Sequence, residues 1–127
     1  MRIKKTSQYI EGGAGLPSYF TDEIDTGMKW IDGKPIYRKV ISTGNISESS
    51  TVYFDTSILN LNQVIDIKAI GTDGGTSRPI PNTTPNNTDF NVSIFYHHSQ
   101  NRVYIQTPSS VSFTNVDITL EYTKTTD

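Results

Sequence analysis

The feature that most constrains this chain is a two-residue alternation of apolar and polar side chains. In NVDITLEYTK, Val116, Ile118, Leu120 and Tyr122 take every second position, with Asp117, Thr119 and Glu121 between them. Successive strand side chains point to opposite faces, so such a run is a strand with one buried and one wet face. Phe90, Val92, Ile94 and Tyr96 repeat the pattern, as do Val103 with Ile105, and Ile65, Ile67 and Ala69 against Asp66 and Lys68. TVYFD at 51–55 reads as a further short strand. Alanine occurs only as Ala14 and Ala69, while Ser, Thr and Asn are abundant and the apolar residues are largely Ile, Val, Tyr and Phe. Branched and aromatic side chains suit a pleated surface, and Ser, Asn and Gly supply turns. The predicted class is all-β, an antiparallel β-sandwich with the jelly roll as one of its forms.

Glycine and proline set the organisation. Residues 1–18, with the Gly-rich EGGAGLPS, read as a lead-in or linker, and 19–127 as one sandwich domain. The segment 72–89 combines Gly74, Gly75 and three prolines with few apolar residues. A long loop is expected there, of the kind that often carries binding residues. TSILNLNQV is ambiguous, because Ile58, Leu61 and Ile65 have helical spacing behind a Thr56 or Ser57 cap. HSQN, at 98–101, is expected to close a hairpin between two of the later strands.

MKWIDGKPIYRKVI holds the single tryptophan, Trp30, and reads as a hairpin turning at Asp32-Gly33, with Pro35 restarting the second strand. Two registers fit. A two-residue loop pairs Trp30 with Pro35 and groups Met28, Trp30, Tyr37 and Ile41 on one face. A three-residue loop with a bulge at Lys34 pairs Trp30 with Ile36 and brings Val40 to that face. Grouping of the large aromatics favours the first.

Several functions are disfavoured by what the chain lacks. A net charge of -2 and a pI near 5.6 give no general attraction for nucleic acid. No apolar run approaches the ~20 residues of a membrane span, and the basic start is not followed by the apolar stretch of a signal peptide. With no cysteine, disulfide and thiolate chemistry are absent. His97 and His98, as strand neighbours, point apart and cannot easily chelate one ion. GTDGGT at 71–76 lacks the Gly-Lys-Ser/Thr ending and following helix of a phosphate loop. There is no G-x-S-x-G elbow and no calcium loop. Asp66, Asp117 and Glu121 fall on wet strand faces rather than forming an evident glycosidase pair. Sequons at Asn45, Asn82, Asn86 and Asn91 follow from the composition. A non-enzymatic protein without metal or cofactor is expected.

The positive signal is a concentration of aromatic, amide and basic residues: Tyr53, Phe54, Tyr96, His97, His98, Gln100, Asn101, Arg102 and Tyr104. Aromatic rings stack on sugars, while amides and Arg bond hydroxyls. The expected receptor contacts are Arg78 from the 72–89 loop, and Tyr96, His97, His98, Asn101 and Arg102 around the hairpin end.

The segment WIDGKPIYRK, preceded by YFTDE at 19–23, resembles a W-x-D-G-K-P-x-Y-x-K signature of phage and prophage tail-fibre, baseplate and receptor-binding proteins. NVDITLEYTK resembles the closing strand of their C-terminal head or knob modules. The likeness spans roughly 19–124. It implies a β-sandwich head, commonly trimeric, that binds host-surface saccharide or protein in the virion after synthesis in the bacterial cytoplasm. Such modules usually follow a fibrous or tail-attachment region, whereas 18 residues precede the match here. The chain is either a piece of a longer fibre or a small free-standing tail-tip or capsid-decorating protein.

At 34% hydrophobic residues the core is thin for the length, which favours completing burial in an oligomer, and the resemblance implies that this oligomer is a homotrimer. The leading expectation is thus a receptor-binding or structural module among other tail proteins. The alternatives are a carbohydrate-binding or polysaccharide-degrading domain, and a ligand-free architectural protein.

Overall fold

The computed structural model describes residues 19–81 and 90–127. Among them eight strands occur: β1 (Ile24–Lys29), β2 (Pro35–Ser42), β3 (Thr51–Asp55), β4 (Leu61–Asp73), β5 (Thr76–Ile80), β6 (Ser93–His97), β7 (Arg102–Gln106) and β8 (Asn115–Lys124). They form two antiparallel sheets, one of five strands in the order β1-β2-β8-β4-β5 and one of three in the order β3-β7-β6. The all-β sandwich expected from the alternation is what the chain adopts. From β2 to β4 the path alternates between sheets. β2-β8-β4 and β3-β7-β6 then lie as two facing triplets, a jelly-roll-like connectivity split five and three. The 1–18 lead-in and the 82–89 part of the expected loop lie outside the described residues.

The core is the inner faces of the two sheets. Val116, Ile118, Leu120 and Tyr122 of β8 and Val103 and Ile105 of β7 are completely buried. Each such side chain contributes about 1.5–3 kcal/mol of burial free energy. Ile46 and Phe113 close one part of the core by exchanging backbone hydrogen bonds of 2.9 and 2.8 Å. Phe113 then lies directly over Gly71, where an added Cβ would stand 2.4 Å from its Cε1. On the other face of the large sheet, Arg38 is buried, pairs with Glu121 at 2.5 Å and stacks 4.5 Å from the Tyr19 ring centre.

Three local expectations are corrected. The ambiguous TSILNLNQV is not helical: from Leu61 the chain is the 13-residue β4, with register shifts between Leu61 and Gln63 and between Val64 and Asp66. The expected loop from 72 is, up to Ile80, a hairpin of β4 with β5 turning at Gly74-Gly75. Gly74 adopts φ 59° there, and Pro79 lies on an edge strand, where proline is tolerated. The β1–β2 hairpin takes neither expected register. Trp30 N donates to Lys34 O and Gly33 N to Trp30 O, both at 2.9 Å, and Lys29 faces Pro35.

The loop is therefore Ile31-Asp32-Gly33, a turn followed by a left-handed glycine at φ 87°. A type I′ turn would need positive φ at Asp32 as well. Instead the Asp32 carboxylate accepts the Lys34 N–H at 3.0 Å, which favours the longer loop. As a result Met28 is exposed and Trp30 only half-buried, while Tyr37 and Ile41 do pack against the core.

Candidate functional site

The alternation that buries Val52 and Phe54, Ile94 and Tyr96, and Val103 and Ile105 sends their neighbours to the outer face of the small sheet. Strand register arranges these in three rows. Asp55, Arg102 and His97 form a charged and polar row. Tyr53, Tyr104 and Phe95 form an aromatic row. Thr51, Gln106 and Ser93 form a hydroxyl and amide row.

In the aromatic row Tyr104 is central. Its ring is parallel to Phe95 within 1° at 5.0 Å, and tilted 42° to Tyr53 at 5.6 Å. At this spacing parallel rings are offset-stacked and do not lie side by side in one plane. Phe95 therefore keeps one ring face turned away from the stack, on the β6 side of the small sheet. Tyr53 and Phe95 remain 49% and 43% exposed, too much for core residues of their size. The Tyr104 hydroxyl donates to Gln100 Oε1 at 2.8 Å.

The charged row stiffens one side. The Arg102 guanidinium lies 3.9 Å from the Tyr53 ring centre and its Nε donates to Asp55 Oδ1 at 3.1 Å. Tyr104 and Asp55 both raise its pKa, so it stays charged. Asp55 is largely exposed. It is the only carboxylate among the nine outward positions of this sheet. Among the described residues no group of three His, Asp or Glu side chains is placed to hold a metal ion.

Among the described residues, two hollows adjoin the rows. One, of about 400 Å³, lies beyond the hydroxyl row, between the Ser49–Thr51 and Gln106–Ser109 segments, with Asn91 and Ser93. Its base is fixed by Thr107, whose hydroxyl donates to Ser47 O at 2.7 Å and accepts from Ser50 N at 3.0 Å. The other, of about 410 Å³, lies between the sheets, lined by Val64, Ile65, Asp66 and Ile67 of β4 and by Phe95, Tyr96 and His98.

The residues expected to contact a receptor are not brought together as one group. His97 and Arg102 lie on the outer face. Tyr96 and Asn101 belong to an internal knot. The Tyr96 hydroxyl meets Asn101 Oδ1 at 2.5 Å and Thr56 Oγ1 at 2.7 Å, and Asn101 Nδ2 donates to Ile58 O at 2.7 Å. Asn101, at φ 58°, also receives Thr56 N on its carbonyl at 3.0 Å, so it caps the 3₁₀ turn His98–Gln100 and ties it to the chain after β3. Burial raises the Tyr96 pKa, partly opposed by Thr56.

His98 stands past the end of β6 with its ring edge-on to Tyr96. Arg78 is on β5 in the other sheet, opposite Gly71, and its buried Nε has no hydrogen-bond partner among the described residues. Phe95 and Asp55 were not among the expected contacts, and Tyr53, Gln100 and Tyr104 only part of a general aromatic and amide excess. The signal for Phe95 was its phase, since inward Ile94 and Tyr96 force residue 95 outward.

No protein-family model, curated protein or solved structure matches this chain.

Proposed function

We propose that the chain is a non-enzymatic receptor-binding module of a phage tail, which engages a host-surface saccharide through the outer face of its small sheet. The observation that carries this is the exposed row Tyr53–Tyr104–Phe95, bordered by an acceptor–donor pair, Asp55 and Arg102, on one side and by hydroxyl and amide groups on the other. Sugars present apolar C–H faces and rings of hydroxyls, which match aromatic and hydrogen-bonding surfaces set side by side. A glycosidase needs two carboxyl groups about 5–9.5 Å apart. The outer face offers Asp55 alone, already paired with Arg102, which favours binding over cleavage. The tail assignment is supported by the WIDGKPIYRK likeness, and assembly as a homotrimer with other virion proteins is part of the proposal. Three weak sites on one particle would gain avidity.

The test is binding of labelled protein to candidate host cells before and after removal of surface polysaccharide. Binding should disappear with the polysaccharide and fall at least about tenfold in Tyr104→Ala, a loss of ~1.4 kcal/mol. Binding that survives removal but is lost to protease would point to a protein receptor. Reducing-sugar release that Asp55→Asn abolishes would overturn the non-enzymatic assignment. Light scattering should give about three times the 14.2 kDa chain mass, and a stable monomer would refute the trimer.

A further inference from the structure

The two hollows share a border that gives the ligand a shape. β6 runs from Ser93, on the rim of the polar hollow, through Phe95, which belongs to both the aromatic row and the inter-sheet hollow, to His97, beside His98. Strand rise places Ser93 and His97 about 13–14 Å apart. Their linings differ. The first is mostly hydroxyl and amide, with Pro108, whereas the second has an aliphatic wall of Val64, Ile65 and Ile67. Between them lies the face of Phe95 not covered by Tyr104.

We infer that the ligand is an extended oligosaccharide held mid-chain along β6, with a hydroxyl-rich unit in the polar hollow and a methyl-bearing unit in the inter-sheet hollow. The inference rests on the saccharide assignment above. A methyl group, from an acetamido or a 6-deoxy sugar, is the part of a saccharide that fits an aliphatic wall. His98 supplies hydrogen-bonding atoms for the hydroxyls of the same unit. A site of this form recognises the interior of a polymer, since one sugar unit reaches only one hollow.

The experiment is calorimetric titration with three oligomer series of one to six units, an N-acetylated hexosamine, its deacetylated counterpart and a 6-deoxyhexose. Affinity for at least one methyl-bearing series should rise about tenfold or more between one and four units, as expected for a second occupied subsite. The deacetylated series should lack that rise. Ser93→Ala with Gln106→Ala, exposed ladder partners whose side chains share a 3.2 Å hydrogen bond, should remove the rise. Ile65→Thr should weaken the methyl-bearing series and not the deacetylated one.

Length-independent affinity in both methyl-bearing series, or no binding of either, overturns the inference. If host polysaccharide still binds in a Tyr104-dependent way in that case, the saccharide assignment stands and only the extended, methyl-bearing ligand is rejected. If host polysaccharide also fails to bind, both fall.

Discussion

Replacing Tyr96 by Phe separates architecture from recognition. Tyr96 lies beside His97 and Arg102 in the fold, but its hydroxyl serves Asn101 Oδ1 at 2.5 Å and Thr56 Oγ1 at 2.7 Å. Thr56 is 1% exposed, so water cannot simply replace the lost partner. Stranding buried polar groups costs about 1–3 kcal/mol. Thr56 and Asn101 still reach each other at 3.1 Å, and Asn101 Nδ2 keeps Ile58 O, which places the cost in the lower half, about 1–2 kcal/mol. For a domain of this size that lowers Tm by about 3–8 °C. Thermal unfolding followed by circular dichroism measures it, and saccharide or host-cell binding measured well below Tm should be unchanged. An unaltered Tm, or weakened binding with an unaltered Tm, would show that the hydroxyl faces the ligand and that the knot is misassigned.

Three further outcomes are expected. Gly71→Ala sets a Cβ against the Phe113 ring and should cost about 1–3 kcal/mol in urea unfolding, with partial recovery when Phe113→Leu is added. Gly33→Ala places a side chain at φ 87° and should cost about 1–2 kcal/mol without affecting binding, whereas a loss of binding would bring the hairpin tip into the site. Alkaline pH should destabilise the fold. Burial and the Glu23 hydrogen bond raise the Tyr122 pKa, and the Asp127 hydrogen bond pushes Tyr37 up to about 12. A raised folded pKa gives stability that is complete below the unfolded value near 10 and is lost as pH rises past it. The urea midpoint should therefore be level to pH 10 and decline above it, and Tyr122→Phe should reduce that slope.

How much of this was legible in the sequence follows from what each signal depends on. The alternation of Val116, Ile118, Leu120 and Tyr122, and of Phe90, Val92, Ile94 and Tyr96, is local, and it located the buried faces correctly. That same phase put Tyr96 inward, where its hydroxyl joins Thr56 and Asn101, and put Phe95 outside. The grouping of Tyr53, Tyr104 and Phe95 depends on β7 lying between β3 and β6, a long-range register that no local pattern contains. Gly74-Gly75 and Pro79 looked like loop because breakers mark both a loop and a tight hairpin with an edge strand. The Asp32-Gly33 turn was located correctly, but its length was decided by one carboxylate accepting one N–H.

The position of β8 has a consequence for how the chain is made. β8 lies in the middle of the large sheet, bonded to β2 on one side and β4 on the other, yet it is the last of the strands in sequence. During synthesis the β1–β2 and β4–β5 hairpins emerge first and wait with bare hydrogen-bonding edges and uncovered apolar faces. Each is marginal alone in water. Folding is then delayed until the segment from Asn115 clears the ribosome, and the contacts that complete the sheet span most of the chain, a topology that folds slowly. In that interval neighbouring nascent chains offer the same missing strand to one another, so association and strand exchange compete with correct closure during biosynthesis.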